Sequence, residues 1–259
     1  MQLREEDHRY FSTDGQEWKS WSSVSKQLVE PFHAHSLSLK CAGGDAAKAR
    51  ALREEWDALR EDACDYGHDI HLRMENFVRH GVIDWEMGEM QQRLYKEIMT
   101  GYEQLCPERT LYMRWPVPGT NGKEYRNYAG QSDKVFVRKG RQVIDIFDYK
   151  TNKRNGIRFN SDYVNKKTGL LMPGKKFMLP PLEHLEVCEY NKYALQLSGY
   201  GLMAQMTYGV SIGRMAEVYI FRNEEGKWDY AVYPVPYMKH EVMALYDFDA
   251  SRKSIDQPF

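Results

Sequence analysis

Two neighbouring segments of this chain, Tyr128 to Val137 and Gln142 to Tyr149, are rich in β-branched and aromatic residues. Lys139-Gly140 punctuates them as a tight turn, so the pattern predicts an antiparallel hairpin. A turn of two or four residues pairs position 133 with position 146. Side chains alternate across a strand, so Asp133, Val135 and Val137 then share a face with Ile144, Ile146, Asp148 and Lys150. That face is apolar along most of its length and carries two carboxylates and one ammonium at one end. Asp145 falls on the opposite face and reads as structural.

The same reading extends along the chain. Tyr10-Phe11, a turn at Asp14-Gly15, and Trp18 to Trp21 predict a small hairpin. Ser22 or Ser23 then caps a short helix that ends before Pro31. Asp45 to Glu61 and Cys64 to Arg79 predict two helices, the second amphipathic through Ile70, Met74, Phe77 and Val78. Gly88 to Leu105 predicts another helix, and Thr110 to Val117 a strand. Residues 151 to about 187 are loop-like and turn-rich. Glu189 to Tyr208 is helical, Met215 to Phe221 and Trp228 to Tyr233 form a second hairpin, and Tyr237 to about Ala250 forms a last helix. Helices, a strand meander, then a helix and two more strands imply an α/β sandwich around a mixed sheet.

Composition changes this picture in one place. The 259 residues carry a formal net charge of −1, so no global basic pull toward nucleic acid exists. From Lys134 to Lys176, however, twelve Lys/Arg face three Asp/Glu, a local net charge of +9 that suits an anionic polymer. The first residues hold no apolar leader segment, and no apolar run reaches membrane-spanning length, so a cytoplasmic location without a membrane partner is expected. Cys41, Cys64, Cys106 and Cys188 are scattered without Cys-x-x-Cys spacing and are expected to be reduced, mostly buried thiols.

The predicted hairpin makes Asp133 and Asp148 diagonal neighbours, about 7–8 Å apart between backbones, so both carboxylates reach one point. Carboxylates converging beside a core repel unless a cation or a proton sits between them, and a hard divalent metal is the usual solution. A lysine at the edge of such a site orients or deprotonates a water, or steadies developing negative charge.

Further motifs fall in register with this group. Gly67-His68-Asp69-Ile70-His71 gives Gly-x-x-x-His upstream, and Gln196-Leu197-Ser198-Gly199-Tyr200 gives Gln-x-x-x-Tyr downstream. Trp21-Ser22-Ser23-Val24-Ser25 is similar to a Ser-Val-Thr segment near the start of some such chains. In order, Gly-x-x-x-His, Gly130-x-x-Asp133, Asp148-x-Lys150-Thr151 and Gln-x-x-x-Tyr resemble the RecB-like branch of the PD-(D/E)XK nuclease superfamily, over roughly residues 22 to 221. The compact chain, with no helicase module, looks most like the phage members of that branch.

The resemblance implies a single domain over 1–259 with a restriction-endonuclease-like core, a mixed central β-sheet flanked by helices. An N-terminal helical region (about 1–108), a catalytic sheet core (about 109–150 and 189–235) and a basic loop insertion (about 151–187) divide it. It implies Mg²⁺ or Mn²⁺ held by Asp133, Asp148, His71 and the backbone carbonyl of Tyr149, with Lys150 acting on the attacking water. Gln196 and Tyr200, one helical turn apart, border the site and contact DNA or hold Lys150. Glu75, four residues after His71, is a candidate supporting residue. Lys153, Arg154 and Arg158, with Asn152, are candidate phosphate contacts by charge, and Phe159, Tyr163 and Phe177 candidate stacking surfaces.

The expected activity is exonucleolytic hydrolysis of DNA, on single-stranded or duplex ends, with replication or recombination proteins of a phage or its host as candidate partners. An endonuclease on the same scaffold and a non-cleaving DNA-binding subunit are the alternatives. Several relatives hold an iron–sulfur cluster on one upstream and three clustered downstream cysteines. Here no cysteine follows Gln196, so no cluster is expected.

Overall fold

The computed structural model describes residues 2–4, 9–98, 102–151, 156–165 and 168–252, and of these the side chains of 2, 3 and 103–108 are left aside. Three short strands open the chain: β1 (Gln2–Arg4), β2 (Arg9–Phe11) and β3 (Glu17–Ser20). Helix α1 (Trp21–Ser25) follows directly, capped by Ser20, which accepts from the Ser23 N–H and precedes the serines expected from sequence. Helix α2 (Ala34–Cys41) was not predicted.

The two helices expected between 45 and 79 are one, α3 (Ala46–His80), capped by Asp45 and ended by Gly81 at φ 67°. No proline or turn signal interrupts Glu61 to Cys64, so the helical ladder continues through. Helix α4 (Gly88–Ile98) stops short of Leu105, because residues from Tyr102 onward belong to strand β4 (Tyr102–Pro116). Pairing along the next strand overrides the helical periodicity there, and Pro107 is tolerated because β4 lies beyond the main strand path, against β5 alone.

Strands β5 (Tyr125–Arg138) and β6 (Val143–Thr151) form the expected hairpin. The small hairpin of β7 (Tyr163–Val164) and β8 (Leu171–Met172) stands in the basic segment. Helix α5 (Glu189–Tyr208), strands β9 (Ser211–Arg222) and β10 (Trp228–Val235), and helix α6 (Lys239–Ser251) complete the chain. The main sheet runs β1-β2-β3-β5-β6-β9-β10, with β4 also on β5, and is mixed: β3 with β5 and β6 with β9 are parallel, the other pairs antiparallel.

Alternation along the strands sorts the core into two layers. Ile144, Ile146, Val135 and Met215 face α5, α6 and α1 through Leu195, Leu197, Met203, Leu245 and Trp21. Phe136, Phe147, Tyr149, Ala216 and Val218 face α3 and α4 through Ile70, Met74, Met90 and Leu94.

The register corrects one expectation and explains the site. Val135 lies opposite Ile146 and Val137 opposite Ile144, so the hairpin loop is Lys139–Gln142 and position 133 comes level with 148, not 146. Parity is unchanged, because the slip is two residues. The β5–β6 ladder ends at Lys134↔Phe147, while β3 pairs with the same edge of β5 at Tyr128 and Ala129. Gly130 to Asp133 therefore occupy the gap where that edge passes from one neighbour to the other.

One further expectation changes. Cys41 and Cys64 are exposed, and Cys188 is buried. Both exposed thiols lie on α2 and α3, which carry few buried side chains. No helix among the described residues is long and apolar enough to cross a membrane.

Candidate active site

The gap in the β5 edge sets the geometry. At Tyr149 the backbone N–H finds no strand opposite and donates to Asp133 Oδ2 at 2.8 Å. In a strand the N–H and C=O of one residue point to the same edge, so the Tyr149 carbonyl faces the same opening. His71 arrives from α3, on the other side of the sheet, with Nδ1 3.3 Å from Asp133 Oδ2 and its ring edge-on to Tyr149. Gly67 lets α3 come this close: a Cβ there would lie 3.3 Å from Thr151 Oγ1.

On the α5 side, Lys150 Nζ donates to Asp148 and lies 3.4 Å from Gln196 Oε1, while its ammonium sits 4.8 Å from the Tyr193 ring centre. Gln196 Nε2 donates to the Tyr200 hydroxyl at 3.0 Å. Tyr200 in turn packs against the first glycine of the strand motif, where a Cβ on Gly130 would stand 2.5 Å from Cε1. Residues 71, 133, 148, 149, 150, 196 and 200 thus form one connected group.

Electrostatics separates the two aspartates. Burial raises Asp133, but the His71 hydrogen bond and charge, Lys150 and the Tyr149 N–H outweigh it and hold the carboxyl down to about 2. Asp148 is pushed up by burial and by Asp133 charge, against Lys150. Burial lowers Lys150, yet Asp148, Glu217 and Asp133 raise it well above the ordinary range, so it is an ammonium at neutral pH rather than a base. Burial likewise opposes the His71 cation, and Asp133 and Asp148 together raise its affinity for a proton.

Glu217 was missed. It stands opposite Asp148 in the parallel β6–β9 ladder, is 0 % exposed, and neither carboxylate oxygen accepts a hydrogen bond. Its nearest cation is Lys150 Nζ at 4.0 Å. The signal was present in the sequence: a lone acid inside the apolar run Met215-Ala216-Glu217-Val218-Tyr219-Ile220.

The donor set suits a hard divalent cation, with the half-buried Asp133, the buried Asp148, a carbonyl and an imidazole. Burial, with Asp148 and Asp133 charge, pushes the Glu217 carboxyl well above its ordinary range, against Lys150. Among the described residues, no three His, Cys, Asp or Glu side chains are already gathered around one point as ligands. Lys150 already donates to one Asp148 oxygen.

Several predicted contacts lie elsewhere. Lys153, Arg154 and Asn152 fall outside the described residues. Arg158 is tied back to the protein: its backbone N–H and guanidinium both engage the Glu189 carboxylate, at 3.0 and 3.3 Å. Glu75 pairs with Arg79, one turn on. Phe159, Tyr163 and Phe177 are all exposed, and Phe159 also packs on Tyr190 and Tyr233. Asp145 is structural as read, bound by Arg138, Arg214 and Tyr102.

A cleft of about 1320 Å³ reaches the group at His71, Asp133 and Tyr200, and Gly67, His68, Gly130 and Gln131 line it beside them. Lys19 of β3, Ser22 and Ser23 of α1, Lys26 just after it, and Ala63 and Cys64 of α3 also line it.

No family model matches the chain, and no curated protein matches it by sequence. Among solved structures it is similar to a presumed exonuclease from Eubacterium rectale, at 11% identity and a TM-score of 0.39, over 96% of this chain and 84% of that one. It is also similar to the protein SSO0001, at 12% identity and a TM-score of 0.34, over 89% of this chain and 73% of that one.

Proposed function

We propose that the chain is a divalent-metal-dependent deoxyribonuclease of the RecB-like PD-(D/E)XK type, acting as an exonuclease on single-stranded ends. The observation that carries this reading is the convergence, at a break in one strand edge, of four motifs more than 120 residues apart at their extremes: His71, Asp133, Asp148 with Lys150, and Gln196 with Tyr200.

Asp133, Asp148, His71 and the Tyr149 carbonyl would hold Mg²⁺ or Mn²⁺. Bound there, the ion polarises a phosphate and lowers the pKa of a water. Lys150 supplies a fixed positive charge beside the reacting phosphate. Gln196 orients it, accepting from the ammonium through Oε1 and donating to Tyr200 through Nε2. Tyr200 and Gly130 fix the distance between α5 and β5, and with it the placement of Lys150 relative to Asp133. The cleft leaves room for a ligand beside His71 and Asp133, and the net positive charge of the segment after β6 favours a polyanion.

The test is cleavage of end-labelled linear and circular single-stranded DNA with Mg²⁺, Mn²⁺ or EDTA, using wild type, Asp148→Asn and Lys150→Met. Metal-dependent loss of the linear strand alone, absent in both variants, is the expected result. Cutting of the circle replaces the exonuclease with an endonuclease. DNA binding without turnover under any metal defeats the catalytic reading.

A further inference from the structure

Glu217 is a buried carboxylate with no hydrogen-bond donor to either oxygen, in a structure whose other site carboxylates are all engaged. Burying a carboxylate without a partner is costly, so a strand that keeps one needs an occasion on which it is used. Three facts define that occasion. Glu217 is level with Asp148 on the adjacent parallel strand, and both project toward α5. Lys150 Nζ lies between them, in contact with Asp148 and 4.0 Å from Glu217 Oε2. A divalent cation drawn to Asp148 meets the ammonium on the same carboxylate, and the two positive charges repel.

We infer that Glu217 is the second seat of Lys150: the carboxylate that takes up the ammonium when Asp148 turns to a metal ion. This rests on the metal-dependent reading above. The displacement needs no rearrangement of the backbone, since Lys150 has a flexible four-carbon stem and the two carboxylates flank it. Gln196 Oε1, at 3.4 Å, steadies the ammonium in either seat. Glu217 is then a positioning residue. It touches neither substrate nor metal, and it acts by making Asp148 available while keeping the positive charge inside the site.

The seat makes a thermodynamic statement that can be measured without DNA, by calorimetric titration of the folded protein with Mn²⁺. Glu217→Gln removes the charge of the second seat and keeps the shape, so Lys150 stays on Asp148 and Mn²⁺ affinity falls about tenfold or more, the usual scale of coupling between linked binding events. Lys150→Met removes the competitor, so Mn²⁺ binds more tightly than to wild type. Adding Glu217→Gln to Lys150→Met then has no effect on Mn²⁺ affinity. In turnover, Glu217→Gln lowers kcat at limiting metal with KM for DNA unchanged, and raised Mn²⁺ recovers it.

An equal loss of affinity from Glu217→Gln in both backgrounds makes Glu217 a direct ligand and overturns the inference. Wild-type affinity in Glu217→Gln, or no gain in Lys150→Met, overturns it too, while leaving the nuclease reading intact. A wild-type protein that binds no Mn²⁺ removes that reading and the inference together. Thermal unfolding of each variant separates these outcomes from misfolding.

Discussion

Alanine in place of Gly130 is the most informative small perturbation of this site, because one methyl group tests how α5 and β5 are held together. The added Cβ would stand 2.5 Å from Tyr200 Cε1 and 3.1 Å from Cδ1, against a carbon–carbon optimum of about 3.5–4.0 Å, so one partner must move by roughly 1 Å. The ring has little room to yield. Its hydroxyl is held by Gln196, its edge meets Trp21, and Gly199 beside it is itself in close approach to the Trp21 ring.

Overpacking of this kind costs about 1–3 kcal/mol. At about 2–4 °C per kcal/mol for a domain of this size, that lowers Tm by roughly 2–12 °C. The larger effect is on catalysis, since Tyr200 positions Gln196 and Gln196 positions Lys150, and a 1 Å misplacement in such a group can cost about 10²-fold in rate. The assay is a double-mutant cycle in thermal unfolding, with Gly130→Ala measured in wild type and in Tyr200→Ala. Removal of the ring gives the methyl space, so the two changes should couple by about 0.5–3 kcal/mol. The same penalty in both backgrounds, or a Gly130→Ala protein as stable and as active as wild type, refutes the reasoning.

Two other predictions concern stability. His71 has a raised proton affinity, so its pairing with Asp133 stabilises below about pH 6.5 and is lost as pH rises through the folded value; Asp133 is held down to about 2, so its contribution is present above about pH 4 and lost as pH falls further. The Tm gap between wild type and His71→Asn should therefore be widest between about pH 4 and 6.5, and a gap that stays flat from about pH 4 to 9 contradicts the pairing. Asp249→Ala strands the buried Tyr128 hydroxyl, which donates to it at 2.8 Å, and frees Lys19 and Gln27. A loss of about 1–3 kcal/mol in chemical unfolding is expected, and Asn at the same position should recover part of it.

The strand parity that groups Asp133 with Asp148 and Lys150 was legible in the sequence, because period-2 alternation survives a slip of two residues. The register itself was not, since it depends on whether Gln142 belongs to the loop or to β6, a matter settled by packing on β9. The break in the β5 edge was illegible for a deeper reason. It arises from β3, more than a hundred residues upstream, taking over the edge that β6 leaves. Gly67, Gly130 and His71 were singled out by resemblance to the family's motifs, and their physical grounds, close approach to Thr151, close approach to Tyr200 and reach through the gap, appear once the layers are assembled. The run from Tyr102 to Leu105 read as helix because its own periodicity is ambiguous, and long-range pairing with β5 decided it. Glu217 was legible as an oddity and was passed over.

The two hydrophobic layers have a consequence for how activity is lost on heating. His71 rides on α3, in one layer, and Gln196 and Tyr200 ride on α5, in the other, while Asp133, Asp148 and Lys150 stand on the strands between them. The site therefore reports the logical conjunction of two docking events. If either helical layer loosens in a sub-global opening, the residues it carries leave the proposed catalytic group while the sheet and the opposite layer persist. Inactivation would then precede the loss of strand signal, and amide exchange in α3 would track the surviving rate more closely than exchange in the central strands.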